Sequence, residues 1–298
     1  MPAPPELACP CCLGGLDPTD QCRPIPSLAC PRCDRVYSAE AGFLDFLGEP
    51  DHDHADEHSH GLQDPDHADR NRGLQGPGHA DPSRLQGRGL RGLGPRLMHS
   101  PALARVYEKL WRPFFVAVAS AGQANYPDEL ARVREWLRPA HGGALVDLSC
   151  GPGFTGRHLA ISGDFSRVLG LDWSVAMLQR ALASAGPDFP LLRADVARLP
   201  FAHASLAGAH AGAALHLWPD PDAAIAEVAR VLRPGGVFVA STFVHRDALR
   251  PLTSTFQAIA SARVFEQAEL AGMCRAHGLL HFTPERRGAL VMFSATRA

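Results

Sequence analysis

A chain of 298 residues, 46% of them hydrophobic, has material for one large domain or two unequal ones with ample core. Its formal net charge of −2 offers no basic surplus, which argues against a phosphate-backbone partner. No apolar run is long enough to span a bilayer, and no basic-then-apolar signal segment opens the chain, so a cytoplasmic protein is expected.

Six of the eight cysteines lie in the first 33 residues, a bias that argues against disulfides spread along the chain. Cys9 and Cys12 form one CxxC pair, and Cys30 and Cys33 form a second, at a separation that fits a zinc ribbon. Each pair sits on a tight turn that can aim two thiolates at one ion. Four sulfurs in a tetrahedral array close the coordination sphere, so the expected Zn2+ is structural. Cys11 and Cys22 are spare, and Cys11 could compete with Cys12 for ligation. A ribbon of residues 1–48 has little core, and the metal would supply on the order of 10 kcal/mol of its folding free energy. Val36-Tyr37 and residues 42–47 read as strands closing the ribbon. Its expected role is docking or support of a lid, because Lys and Arg are sparse there.

Residues 49–95 read as a linker. Gly-Leu-Gln-x-Pro-x-His-Ala-Asp occurs at 61–69 and again at 73–81, and the segment holds six of the fifteen histidines. Such composition buries too little apolar area to offset its ordering entropy. Residues 96–298 form the second expected domain. Ser100 and Pro101 predict the start of a helix that carries Leu103, Val106, Tyr107, Leu110 and Trp111 at helical spacing. Its aromatic residues are either core or a lid over a substrate pocket. A further helix, Glu129–Leu137, leads through His141-Gly142-Gly143 into an apolar strand, Ala144–Leu148, interrupted by Asp147.

That strand opens a βαβ unit. Ser149-Cys150-Gly151-Pro152-Gly153 is a small-residue turn, a helix begins at Phe154, and Val168–Leu171 is a second strand closed by Asp172. Glycines let the backbone approach a nucleotide-like ligand, and the second acid accepts hydrogen bonds from ribose hydroxyls. Gly151, Gly153 and Gly156 also satisfy GxGxxG, so a dinucleotide remains an alternative. Asp147 discriminates: a carboxylate beside the loop suits the sulfonium and ammonium of S-adenosylmethionine (SAM) better than a pyrophosphate.

Downstream, Ser174–Ala185 predicts a helix and Leu191–Asp195 a third strand ending in an acid. Leu206–Leu215 is a small-residue strand containing His210, followed by His216-Leu217-Trp218-Pro219-Asp220-Pro221. An amphipathic helix, Ala223–Leu232, turns through Arg233-Pro234-Gly235-Gly236 into Val237–Ser241. Helices at Asp247–Ser261 and Glu266–His277 precede two strands, Leu279–Thr283 and Leu290–Thr296. The last is expected to insert antiparallel beside the fifth.

The stretch Val146–Gly153 resembles motif I of the class I SAM-dependent methyltransferases, with Ser149 where the first glycine is usual. More widely, Ser100-Pro101-Ala102, Tyr107-Glu108, Trp111, Leu171–Leu178 and His210–Pro221 resemble plastid-type and bacterial methyltransferases with an N-terminal ribbon. The resemblance implies an α/β fold: a Rossmann-like, seven-stranded sheet with helices on both faces, plus the ribbon. It implies SAM as cofactor, with Asp147, Ser149, Cys150, Gly151, Gly153, Asp172, Trp173, Met177, Asp195, Val196 and Ala211 around it. In that family an acid at Asp195 accepts from the adenine amino group, with the next residue's backbone amide nearby.

Methyl transfer is an in-line displacement, so alignment and water exclusion dominate, and a general base is needed only for some acceptors. His216, at the end of the fourth strand, is the first candidate base; His210 and His245 follow. Tyr107, Trp111 and Trp218 could line a pocket for a small-molecule acceptor. Two other readings stay open: an RNA base methyltransferase with a zinc recognition module, and a SAM-fold protein with a non-methylating role.

Overall fold

The computed structural model describes residues 5–19, 26–39, 41–47, 120, 122, 125–184, 186, 188–245 and 263–298. The linker 49–95, the helix carrying Tyr107 and Trp111, and the helix expected at Asp247–Ser261 lie outside the described residues.

The main sheet is built on β5 (Ala144–Leu148) and β8 (Leu206–Ala211), every residue of which is buried. Continuous burial is what a parallel strand covered on both faces requires, and it explains their lack of polar alternation. Around them lie β6 (Arg167–Asp172), β7 (Leu191–Arg193), β9 (Leu232–Phe243), β10 (Leu279–Arg287) and β11 (Leu290–Arg297). With β4 (Leu44–Asp45), the order is β10-β11-β9-β8-β5-β6-β7-β4. Strand β11 runs antiparallel beside β9, as expected. The chain steps from β5 outward to β7, then returns to the other side of β5 as β8. Open α/β sheets bind ligands at such a reversal, outside the carboxyl ends of the strands.

Side chains alternate across the sheet into two apolar layers. Leu145, Val168, Leu191 and Val239 meet Val133 and Leu137 of helix α1 (Tyr126–Trp136) and its end, Leu159 of α2 (Phe154–Ala160), and Leu178 of α3 (Val175–Leu182). Val146, Leu169, Ala209 and Phe238 meet Ile225 and Val228 of α4 (Pro221–Val231) and Leu270 and Cys274 of α5 (Gln267–Ala276). Side-chain caps fix several helix starts: Asp128 N donates to Asn125 Oδ1, and Ala223 N donates to Asp220 Oδ1.

The N-terminal segment corrects two expectations. Strands β1 (Asp17–Pro18), β2 (Leu28–Ala29) and β3 (Val36–Tyr37) make a small antiparallel sheet, but residues 42–47 do not close it. Instead β4 leaves the ribbon and pairs parallel with β7, adding an eighth strand to the expected seven. A second seam forms where Leu7 bridges Phe201, Ala8 N donates to the Pro200 carbonyl and Ala202 N donates to the Glu6 carbonyl. Leu7, Leu28, Tyr37, Leu44 and Phe46 therefore share one continuous core with Ala194, Leu199 and Phe201. Phe201→Ala removes the fully buried ring at this seam and should cost about 3–5 kcal/mol. Chemical denaturation measures that loss, and limited proteolysis should then cut the segment before residue 48 faster than in the wild type.

Candidate functional site

The turn after β5 is held open by three positive backbone angles, φ 52° at Ser149, 56° at Gly151 and 83° at Gly153. Glycine adopts these freely, whereas serine does so at a cost. Ser149 is offset by its side chain, whose Oγ accepts a 2.9 Å bond from the Trp218 indole. At the end of β6, Asp172 accepts from two backbone amides at 2.8 Å, Gly151 N and Ser174 N. Cys150 N donates to the Leu171 carbonyl at 2.9 Å, so the two loops are stitched together twice. Ser174 caps α3 through Met177 N. A Cβ on Gly156 would lie 2.3 Å from the Phe189 ring and 2.8 Å from Asp147 Oδ2, so only glycine lets α2 approach the strand this closely.

Asp147 and His210 are register partners on β5 and β8, and the Asp147 carboxylate meets His210 Nδ1 at 2.6 Å. Both side chains are 3% exposed. Sequence reading singled out each residue without joining them. The available signal was one polar residue within each of two otherwise apolar strands. Burial raises the Asp172 carboxyl to about 6, against backbone bonds from Ser174 and Gly151 that lower it; the charge of Asp147 raises it further. Burial, with the nearby charges of Asp172 and Asp147, also pushes the Cys150 thiol well up, so it stays protonated. Asp195 closes its own turn by accepting from Ala197 N at 2.9 Å, and burial raises its carboxyl too. Val196 and Ala211 are buried beside these turns, and the Trp173 carbonyl accepts from Arg193 Nε at 3.2 Å. Arg193 carries no motif and sequence reading missed it.

The remaining candidates fall less neatly. His216, expected to open onto the cleft, is 6% exposed and sits edge-on against Phe243 at 4.7 Å. Burial lowers its pKa to about 3, leaving a neutral imidazole with little basicity. His245 lies beyond β9, where its backbone bonds to Phe265 and Arg286. Trp218 is buried and supports the Ser149 turn, so its indole N–H is committed to the loop. Tyr107 and Trp111 lie outside the described residues.

The four ribbon cysteines converge. Cys9, Cys12, Cys30 and Cys33 place their sulfurs within 4.8 Å of one another, with Cys9–Cys33 at 3.6 Å and Cys12–Cys30 at 3.4 Å. The edge of a tetrahedral zinc–thiolate site is roughly 3.8 Å, so the donor set fits that ion. Cys11 is exposed and outside the cluster, so it does not displace Cys12. Burial pushes the Cys9 thiol up, but bonds from Tyr37 and the Cys12 and Cys11 amides outweigh it and bring it to about 7.

The raised Asp172 carboxyl has a consequence for stability. The folded state holds its proton more tightly than an ordinary carboxylate near 3.8, so its contribution is full below that value and is lost as pH rises through about 6. Denaturation of wild type and Asp172→Asn across this window should show the wild type losing stability relative to the variant as pH rises. A difference independent of pH would remove the assignment.

Residues 146–240 match a family model described as a methyltransferase domain. An uncharacterised chloroplastic methyltransferase of Arabidopsis thaliana is 39% identical over 220 residues, 69% of this chain and 61% of the relative. The chain therefore spans about three-fifths of that relative's length. The plastid address of that relative does not accord with the cytoplasmic expectation, although no helix among the described residues is long and apolar enough to cross a membrane. A demethylmenaquinone methyltransferase of Desulfitobacterium hafniense is 36% identical over 104 residues, 33% of this chain and 41% of the relative. One chain of the complex between the Haloferax volcanii Trm112 methyltransferase activator and a methyltransferase shares the fold, with TM-score 0.53 and 22% identity, over 66% of this chain and 96% of that chain. Residues 146–240, which bear the glycine turn, Asp147 and Asp172, are thus similar to a methyltransferase domain in sequence, and the chain shares the fold of a solved methyltransferase.

Proposed function

We propose that the chain transfers a methyl group from SAM to a small-molecule acceptor. The observation that carries this reading is the buried acid pair flanking the turn. Asp172 is fixed by two amides at the end of β6, and Asp147 lies beneath the loop at the end of β5. When bound, SAM supplies an electrophilic methyl on a sulfonium. The turn 149–153 offers backbone to its methionine end, Asp147 contributes negative potential there, and Asp172 accepts from the ribose hydroxyls. Asp195 and the Val196 amide suit the adenine edge, while Trp173, Met177, Cys150 and Ala211 form the walls.

His216 is too weakly basic to take a proton from an ordinary alcohol. In this proposal His216 is not the base, the acceptor atom is one that is nucleophilic or acidic by itself, and the rate comes from alignment and exclusion of water. A quinol-like acceptor fits that requirement, and a relative matched over the core is a demethylmenaquinone methyltransferase. His210 acts through Asp147, and Tyr107, Trp111 and His245 remain acceptor-side residues in this proposal. The organisation proposed is a ribbon, 1–48, a linker, 49–95, and a catalytic domain, 96–298.

Calorimetric titration with S-adenosylhomocysteine, the thioether product, tests the cofactor, with NAD as control. Micromolar product binding and no NAD response are expected. Asp172→Ala should weaken product binding at least tenfold, matching the loss of charge-assisted bonds worth about 1.5–3 kcal/mol. Response to NAD alone sinks the reading. For the ribbon, we propose Zn2+ held by Cys9, Cys12, Cys30 and Cys33. Elemental analysis should find one zinc per chain, and Cys30→Ser should abolish it; full zinc in that variant would place the ion elsewhere.

A further inference from the structure

Two arginines connect the ribbon to the acids of the cofactor site. Arg193, the last residue of β7, is the register partner of Asp45 on one side and of Asp172 on the other. Its Nη1 pairs with Asp45 Oδ2 at 2.9 Å, and its Nε donates to the Trp173 carbonyl at 3.2 Å. Trp173 lies between Asp172, whose carboxylate is the proposed ribose acceptor, and Ser174, whose amide donates to that carboxylate. The Arg193 carbonyl in turn accepts from Phe46 N at 2.8 Å. The Phe46 ring packs on Tyr37 with centroids 4.7 Å apart, and the Tyr37 hydroxyl lies 3.0 Å from Cys9 Sγ. The second link is Arg198. Its guanidinium donates to the carbonyl of Pro10, inside the first CxxC turn, and its amide donates to the Asp195 carbonyl.

From these contacts we infer that Arg193 is a positioning residue that couples metal binding in the ribbon to SAM binding in the sheet. The inference rests on the proposed cofactor and metal. With the four thiolates gathered on an ion, Tyr37 and Phe46 hold β4 against β7, and Asp45 fixes the guanidinium. That guanidinium then anchors the Trp173 carbonyl and, through it, the loop from which Asp172 reaches the ligand. Without the ion the four sulfurs have no common partner, β4 loses its support, and the loop gains freedom that ligand binding must then remove. Such coupling is reciprocal, so the cofactor product must also tighten the metal.

The test uses the full-length, zinc-loaded chain. Zinc affinity is measured by equilibrium competition with a chromogenic chelator, with and without S-adenosylhomocysteine, and product affinity is measured by calorimetry before and after stripping. In the wild type each ligand should tighten the other by roughly fivefold or more. Arg193→Gln and Asp45→Asn should keep one zinc and yet bind the product at least fivefold more weakly. In both, the effect of product on zinc affinity should vanish. The double variant should be no worse than Arg193→Gln alone, because that change already removes the contact with Asp45. Failure of the loaded wild type to bind the product would overturn the cofactor reading, and the coupling with it. Product binding with zinc affinity unchanged would overturn the coupling alone. Arg193→Gln with wild-type product affinity would remove Arg193 from the path. Because that variant keeps its metal, the result stands even if the stripped chain unfolds.

Discussion

The structure turns on one carboxylate. Asp172 sits at the end of a central strand, accepts a hydrogen bond from the turn before α2 and another from the amide that opens α3. A buried carboxylate is expensive unless its lone pairs are used, and here two backbone donors use them. They do not fully offset the desolvation, which is why the group stays raised to about 6. In the proposed function, that residual cost is what further donors would relieve. Two hydroxyls of a bound ribose would provide them.

The same economy of polar groups recurs nearby. Asp147 and His210 lie on adjacent strands at the topological reversal and meet each other where neither meets water. Ser149 accepts an awkward backbone angle, and the Trp218 indole satisfies its hydroxyl. Each of these polar groups is answered from a different element, so the loops are tied to the sheet. The ribbon is drawn into this arrangement rather than appended to it, since most of its apolar residues join the core on the α4–α5 face and Phe43 joins the other layer.

How much of this could be read in advance differs by element. The strand–turn–helix–strand order and both acids follow from local pattern, because glycine clusters and apolar runs act within a few residues. The cysteine cluster is equally local in logic: two CxxC pairs predict that four sulfurs converge, and they do. What escaped were contacts between distant segments. Arg193 and Asp45 are 148 residues apart, and a two-residue strand such as Leu44–Asp45 carries no periodicity to show which sheet it joins. The Arg233-Pro234-Gly235-Gly236 turn was legible as a turn, yet it lies within β9, accommodated by the positive φ of Gly235 and a register shift against β8. His216 shows the opposite error. Its position after a strand suggested access, but the aromatic ring of Phe243, supplied by β9, closes over it.

The pairing of β4 with β7 also covers one border of the sheet. An open parallel sheet ends in a strand whose outer amides and carbonyls are free to recruit a strand from another molecule. Here that border is occupied by a piece of the same polypeptide, only two residues long and followed directly by Phe46, whose amide takes the Arg193 carbonyl. A strip this short covers the border without offering a long flat template of its own. The cysteine module therefore acts as a guard on the flank of the sheet. A chain shortened to begin after it would leave β7 as the border strand, its outer amides and carbonyls uncovered.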